Sequence, residues 1–215
     1  EYENLATLGS YCGVGDLQAV SLANQLCNAY GVDAIAAGAT IAFAMDCFER
    51  GILTEADTGG ISLRFGDADA LLATLRTMLE REGFGDVLAE GSARAAEMIG
   101  RGAPERVNAV KGAEFPAHMP HVKRSLGLIY AVNPFGADHQ SSEHDPGYMP
   151  GSDERSLARL STLGLTETQT GYLDDLVRHA EEEATGYFDA VAQSDSEFTE
   201  VLNRLQRLAA SDYRL

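Results

Sequence analysis

Four short stretches of this sequence carry side chains able to do chemistry. Glu1-Tyr2-Glu3 sets a carboxylate beside a phenol. The carboxylate can take or give a proton and the phenol can orient the reacting group. The competing reading is the exposed start of a helix. Asn28-Ala29-Tyr30-Gly31-Val32-Asp33 crosses a glycine turn between two helices. Such a turn offers side-chain acceptors and backbone N–H groups to a polar ligand. Here the competing reading is capping, with Asp33 as N-cap of the second helix. His118-Met119-Pro120-His121 supplies two imidazoles, but a metal wants three or four ligands and groups to orient them, so the pair alone makes no site. Gly136-Ala137-Asp138-His139 uses a glycine turn to deliver an Asp-His pair, and His is the side chain suited to proton transfer near neutral pH. A structural hydrogen-bonding role competes there.

Other chemistries are missing from the sequence. It holds no phosphate-cradling GxxxxGK-Ser/Thr, no GxGxxG and no GxSxG, which counts against the common nucleotide enzymes and serine hydrolases. Cys12, Cys27 and Cys47 are too few and too widely spaced for a disulfide framework, and no CxxC pair is present. They are expected to be buried free thiols in a reducing compartment.

The elements that must position these groups are helices. Asp16 caps a predicted helix over 16–30, which Gly31 ends. An alanine-rich helix follows over 34–50, and its many small apolar residues imply neighbours packed on several sides. Residues 54–57 read as a turn or a short helical start, with Thr54 as a candidate cap. Ile61-Ser62-Leu63-Arg64-Phe65 alternates with period two and is a short strand at best. Asp67 caps a helix over 68–82 with Leu71, Leu72, Leu75, Met78 and Leu79 as its buried stripe, and a further helix is expected over 86–99. From Gly100 to Gly151 the texture changes: all six prolines and four of the five histidines fall there. One helix, roughly 123–132, interrupts it, and three more are expected at about 153–163, 166–182 and 195–209. The fold class is therefore all-α, two helical lobes with a long irregular Pro/His-containing connection and at most one short β-hairpin. The expected domains are 1–107 and 108–215.

Charge limits the partners. With 33 acidic and 16 basic side chains the net charge is -17, which disfavours nucleic acid and anionic membrane surfaces. No run of about 18 apolar residues could span a bilayer. No signal-peptide pattern is visible, so a cytoplasmic setting is expected. The chain has no initiator Met and ends directly after a helical run, which reads as a piece of a longer protein.

Taken in order, several blocks resemble the aldehyde:ferredoxin oxidoreductase family of tungsten pterin enzymes. They are Glu1-Tyr2-Glu3, Leu8-Gly9-Ser10-x-Cys12-Gly13, Leu26 to Asp33, Ile41 to Gly51, Arg81 to Gly91, Val110 to His118, Tyr130-Ala131 and Gly136 to His139. The resemblance covers about residues 1–140. It implies that the chain is the second domain and part of the third of an enzyme whose N-terminal β domain lies upstream. It further implies a tungsten (or molybdenum) bis-pterin and a [4Fe–4S] cluster in the full-length parent, with none expected bound to this piece alone. In the family a D-x-x-G-L-D/C motif contacts one pterin. Here that motif is similar to Asn28-x-x-Gly31-Val32-Asp33, followed by Ala34, so Asn28, Gly31, Val32, Asp33 and Ala34 are the implied cofactor-binding residues. Asn28 replaces an Asp, keeping an acceptor and adding a donor. Many members read His-Asp-Pro-Arg where this chain has His118-Met119-Pro120-His121. The implied catalytic residues are Glu3, with Tyr2 beside it, and His139. No residue of this chain is implied as a metal ligand, and none of the three cysteines matches the family's cluster ligands.

The implied reaction is oxidation of an aldehyde to a carboxylic acid, with electrons passed to ferredoxin as partner and a homodimer as one option for assembly. Within the family the alternative is an acyl-CoA-reducing subunit. From another class, the alternative is a non-catalytic helical scaffold.

Overall fold

The computed structural model describes residues 2–120 and 123–141. The helices expected at 153–163, 166–182 and 195–209, and with them the greater part of the second lobe (108–215), lie outside the described residues, as do Glu1 and His121. Residues 1–142 form one compact unit. Within it the described residues form seven α-helices, one π-helical turn, one 3₁₀ turn and a two-stranded hairpin, the all-α architecture expected.

Capping chemistry sets the main helices. Asp16 Oδ1 accepts from the N–H groups of Gln18 and Ala19 at 2.9 and 3.1 Å, so α2 (Leu17–Tyr30) starts with two of its orphan donors satisfied. It ends at Gly31, φ 70°, where Val32 N–H reaches back to Cys27 O at 2.9 Å; glycine suits that left-handed position. Asp33 caps α3 (Ala34–Glu49) in the same way through Ile35 and Ala36. Asp67 caps α4 (Ala68–Glu80) through Ala70 N–H.

Helix α3 is the centre of the core. Its buried residues are mostly small, which lets other backbones come close. The limiting case is Gly38: a Cβ there would lie 2.6 Å from the carbonyl carbon of Thr7. Thr7 belongs to a π-helical turn (Ala6–Ser10) that continues α1 (Tyr2–Leu5). The short N-terminal helix is thus pressed directly onto α3. Leu8, Ile41, Met45, Leu71, Leu75 and Leu88 are fully buried in this core, each contributing about 1.5–3 kcal/mol of transfer free energy. A second, smaller core joins Val110, Leu126, Tyr130 and Ala137. It ties together the hairpin β1 (Ala109–Val110) and β2 (Ala113–Glu114), helix α7 (Arg124–Val132) and the turn that follows α7.

Three local expectations are corrected. Residues 61–65 form no strand. Leu63 alone is fully buried, Thr58 Oγ1 donates to Ile61 O at 2.6 Å, and Phe65 N–H donates to the Glu49 carboxylate at 3.2 Å. Side chains therefore satisfy a backbone that a ladder would otherwise have paired. The helix expected over 86–99 is two helices, α5 (Phe84–Leu88) and α6 (Ser92–Ile99), broken at Gly91 with φ 84° and ψ 161°. At 54–57 the cap is Asp57 rather than Thr54: its carboxylate accepts from the Thr54 N–H and hydroxyl at 2.8 and 2.7 Å. Among the described residues no helix is long and apolar enough to cross a membrane.

The three cysteines are free and buried, as expected. Burial pushes the Cys12 thiol up to about 12 and those of Cys27 and Cys47 up to about 11. The thiolate is the nucleophile, so all three are expected to resist an aromatic disulfide reagent at mildly alkaline pH and to react fully once the protein is unfolded. Rapid labelling of the native protein would contradict the burial.

Candidate active site

Glu3, His118 and His139 come together although they are far apart in sequence. Helix α1 presents Glu3 with its side chain 13% exposed. Its Oε2 accepts from Ala117 N–H at 2.7 Å, and its Oε1 lies 2.7 Å from His118 Nε2 and 3.7 Å from His139 Nε2. Neither ring aims a straight N–H at Oε1, which remains a buried acceptor without an aligned donor. The two imidazoles stack on each other, centroids 4.7 Å apart and 25° between planes.

Each group is held by its own element. His118 follows β2 by four residues, and Tyr130 of α7 donates its hydroxyl to His118 O at 3.1 Å. Tyr11 pins the same segment by donating to Pro116 O at 2.8 Å. Glu114 anchors its root: the buried carboxylate accepts from the Ser92 N–H and hydroxyl at 2.7 and 2.8 Å and from Thr40 at 3.3 Å. That carboxylate supplies an N-terminal cap to α6 from a distant part of the chain. His139 sits on the turn after α7. There Asn133 Oδ1 accepts from Phe135 N–H, Lys111 donates to Asn133 O at 2.7 Å, and Asp138 Oδ1 accepts from Gln140 N–H. Gln140 Nε2 lies 2.8 Å from His139 Nε2.

The phenols of Tyr11 and Tyr130 stay protonated. Burial, then the Glu3 charge, pushes Tyr11 up to about 12. The same two causes push Tyr130 higher still. Tyr2 is 66% exposed, with its hydroxyl 3.5 Å from Ala117 O and its ring 5.9 Å from His118. It covers the site from the outside.

The ligand atoms of Glu3, His118 and His139 lie within 4.8 Å of one another, the donor set of a two-His, one-carboxylate cation site. Lys123 argues against that use. Its Nζ lies 2.6 Å from His118 Nδ1, and an ammonium can only donate. With Lys123 donating, Nδ1 is the accepting nitrogen of a neutral ring, a tautomer that leaves no lone pair for a cation on the Glu3 side. The trio sets one carboxylate against two imidazoles, groups whose chemistry is proton exchange.

The structure does not bring the Asn28–Ala34 turn into side-chain contact with this cluster. Asn28, Gly31, Val32 and Asp33 are exposed and Ala34 is buried. Asp33 caps α3, and with Val32 it borders a cleft of about 210 Å³ whose walls include Leu75, Met78 and Leu88. The turn and the cluster are linked through Thr7, whose buried hydroxyl lies 2.9 Å from Glu3 O and 3.3 Å from Ala34 O. Local sequence patterns missed His118 and Glu114 as site-building residues; both lie in the Val110–His118 block that carries the family resemblance.

A family model described as aldehyde ferredoxin oxidoreductase, domains 2 and 3, matches residues 1–192. The chain belongs to the aldehyde ferredoxin oxidoreductase family. A tungsten-containing aldehyde ferredoxin oxidoreductase of Pyrococcus abyssi is 39% identical over 142 residues, 65% of this chain and 23% of that protein. An aliphatic sulfonate oxidoreductase, WOR-like subunit, of Pyrococcus furiosus is 33% identical over 148 residues, 66% of this chain and 24% of that protein. The match thus spans about a quarter of the length of these relatives. Among solved structures, the active-site complex BamBC of benzoyl coenzyme A reductase with 1,5 dienoyl-CoA is similar at a TM-score of 0.52 and 27% identity, covering 61% of this chain and 20% of that one.

Proposed function

We propose that this chain forms the second domain and part of the third (1–107 and 108–215) of a tungsten or molybdenum bis-pterin enzyme that oxidises aldehydes to carboxylic acids. Electrons would leave through a [4Fe–4S] cluster to ferredoxin, in an anaerobic, cytoplasmic setting. The observation that carries this reading is Glu3 Oε1, a buried carboxylate oxygen without an aligned donor, facing two imidazoles. A buried acceptor left open in this way suits a site completed by a substrate or cofactor edge.

Oxidation of an aldehyde with one water gives a carboxylate, three protons and two electrons. The metal–pterin group, when bound, supplies the two-electron redox chemistry. The chain's own residues handle protons and position. Glu3 takes a proton at Oε1 from the attacking water, a role that a buried carboxylate within reach of the reacting group can fill. His139 orients the substrate oxygen or receives a later proton at Nε2, and Tyr2 closes the outer wall. Asn28, Gly31, Val32, Asp33 and Ala34 would hold one pterin. The exposure of Asn28, Gly31, Val32 and Asp33 and the open glycine turn fit a polar ligand. The cysteines do not fit the iron–sulfur cluster, because each is buried in the helical core, so its ligands belong to parts of the parent outside this chain.

The full-length protein, purified without oxygen, is expected to contain tungsten or molybdenum together with iron and to reduce a viologen dye when given an aldehyde. Absence of both metals, or of aldehyde-dependent reduction, would sink the reading. The similarity to benzoyl coenzyme A reductase favours a second substrate class, acyl-CoA thioesters, and turnover of a thioester with none of any aldehyde would select it.

A further inference from the structure

We infer that Lys123 is a positioning residue of the active site: its ammonium fixes the tautomer of His118 so that the ring turns an N–H, not a lone pair, toward Glu3. The inference rests on the reading of Glu3 as proton acceptor and adds two residues to that site.

The geometry runs in one line. Lys123 Nζ lies 2.6 Å from His118 Nδ1, and His118 Nε2 lies 2.7 Å from Glu3 Oε1. Lysine donates and never accepts, so Nδ1 must offer its lone pair. A neutral imidazole has one N–H, which then sits on Nε2. An N–H facing a carboxylate favours its charged form, the form able to take a proton. A lone pair facing the same oxygen would instead favour a proton on Glu3 and remove the base. In the Ser-His-Asp triad a buried carboxylate fixes the histidine tautomer from the far side. Here a cation does the equivalent with the opposite polarity, and the beneficiary is a carboxylate. The Nε2–Oε1 contact is short but bent away from the ideal line. Catalytic contacts of this kind commonly tighten only when substrate is bound.

A second observation points to Lys123 independently. It occupies the N-cap position of α7 and makes no side-chain cap. That position prefers Ser, Thr, Asp or Asn, and the positive end of the helix dipole disfavours a cation. Arg124 follows it at the first helical position. A residue that breaks a local rule without a local gain is expected where function requires it, and the contact with His118 supplies that gain.

Among the described residues, charged and titratable groups face the His118 ring from several elements. Glu3 and Tyr2 face it from α1, His139 from the stacked turn, and Lys123 from the segment before α7. Tyr130 of α7 bonds to the His118 carbonyl.

The test compares Lys123→Met, which keeps the alkyl stem and removes the charge, with Lys123→Arg, which keeps both, in the full-length metal-loaded enzyme. Lys123→Met is expected to leave KM and metal content near wild type. It should move the acidic limb of the pH–rate profile upward by about one unit and lower kcat roughly tenfold below neutrality. Lys123→Arg should restore most of the profile. A second readout needs no turnover: nitrogen-15 shifts of the His118 ring in full-length protein with labelled histidine, the signal assigned by its loss in His118→Gln. Wild type is expected to report the Nε2–H tautomer and Lys123→Met a shift toward Nδ1–H. An Nδ1–H ring in wild type, or an unchanged tautomer and profile in Lys123→Met, overturns the inference, including where only the melting temperature falls. If wild type turns over no aldehyde, the functional reading fails and the tautomer measurement still decides this one.

Discussion

Glu3→Gln in the full-length enzyme is expected to lower aldehyde turnover by roughly 10²–10⁴-fold, the usual worth of a positioned acid–base group. Metal and pterin content should not change. The substitution is nearly isosteric, and its amide oxygen can keep the bond from Ala117 N–H. What changes is the atom at the Oε1 position. An NH₂ there cannot take a proton, and it meets the N–H of His118 donor against donor at the present separation of 2.7 Å. His139→Asn should show the milder version of the same loss, because His139 Nε2 is 3.7 Å from Glu3 and reaches it less directly. Dye-coupled kinetics and elemental analysis on the same preparations separate loss of chemistry from loss of cofactor. Wild-type turnover in Glu3→Gln would remove the carboxylate from the mechanism.

Gly136→Ala is expected to destabilise the unit by about 2–5 kcal/mol. Of this, about 1–2 arises from a side chain at left-handed φ and about 1–3 from overpacking. Gly136 has φ 86°, and a Cβ built on it would lie 2.0 Å from Val110 O and 2.9 Å from Val110 C. The obstacle is backbone of the hairpin, which cannot swing aside as a long side chain would. The melting temperature should fall by roughly 5–15 °C for a unit of this size. Turnover should fall with it, because the displaced turn carries His139. Differential scanning fluorimetry reads the first effect, and a wild-type melting temperature would show that turn and hairpin do not meet as described.

What could be read in advance followed the range of the interactions. The helices capped by Asp16, Asp33 and Asp67 were legible because a cap reaches two or three residues and the apolar stripe after it repeats locally. The hairpin was not, because strands of two residues are too short to show a period. Residues 61–65 did show the period, yet have no partner strand and bury Leu63 alone. The break between α5 and α6 was marked in the sequence by Gly91-Ser92. Its cause, the Glu114 carboxylate capping α6 from 22 positions away, was not. The site divides along the same line. Glu3 and His139 were reached through resemblance, since local pattern alone made one a helix start and the other a loop histidine. Sequence spacing pairs His118 only with His121, three residues on, whereas its partners in the structure are Glu3, Lys123 and His139. No spacing rule covers a contact spanning more than a hundred residues.

That span has a consequence for how the site comes into being. The Glu3–Ala117 hydrogen bond joins positions 114 apart, and Tyr11–Pro116 and Tyr2–Ala117 join positions 105 and 115 apart. Closing a loop of about that length forfeits roughly 4 kcal/mol of chain entropy before any constant term. The three contacts share one loop, so the first to form bears that loss and the others follow without it. The carboxylate, the imidazole beside it and the outer phenol therefore assemble together or not at all. A lesion at any one of these stitches loosens the chemistry at the others well before it unfolds the helices beneath.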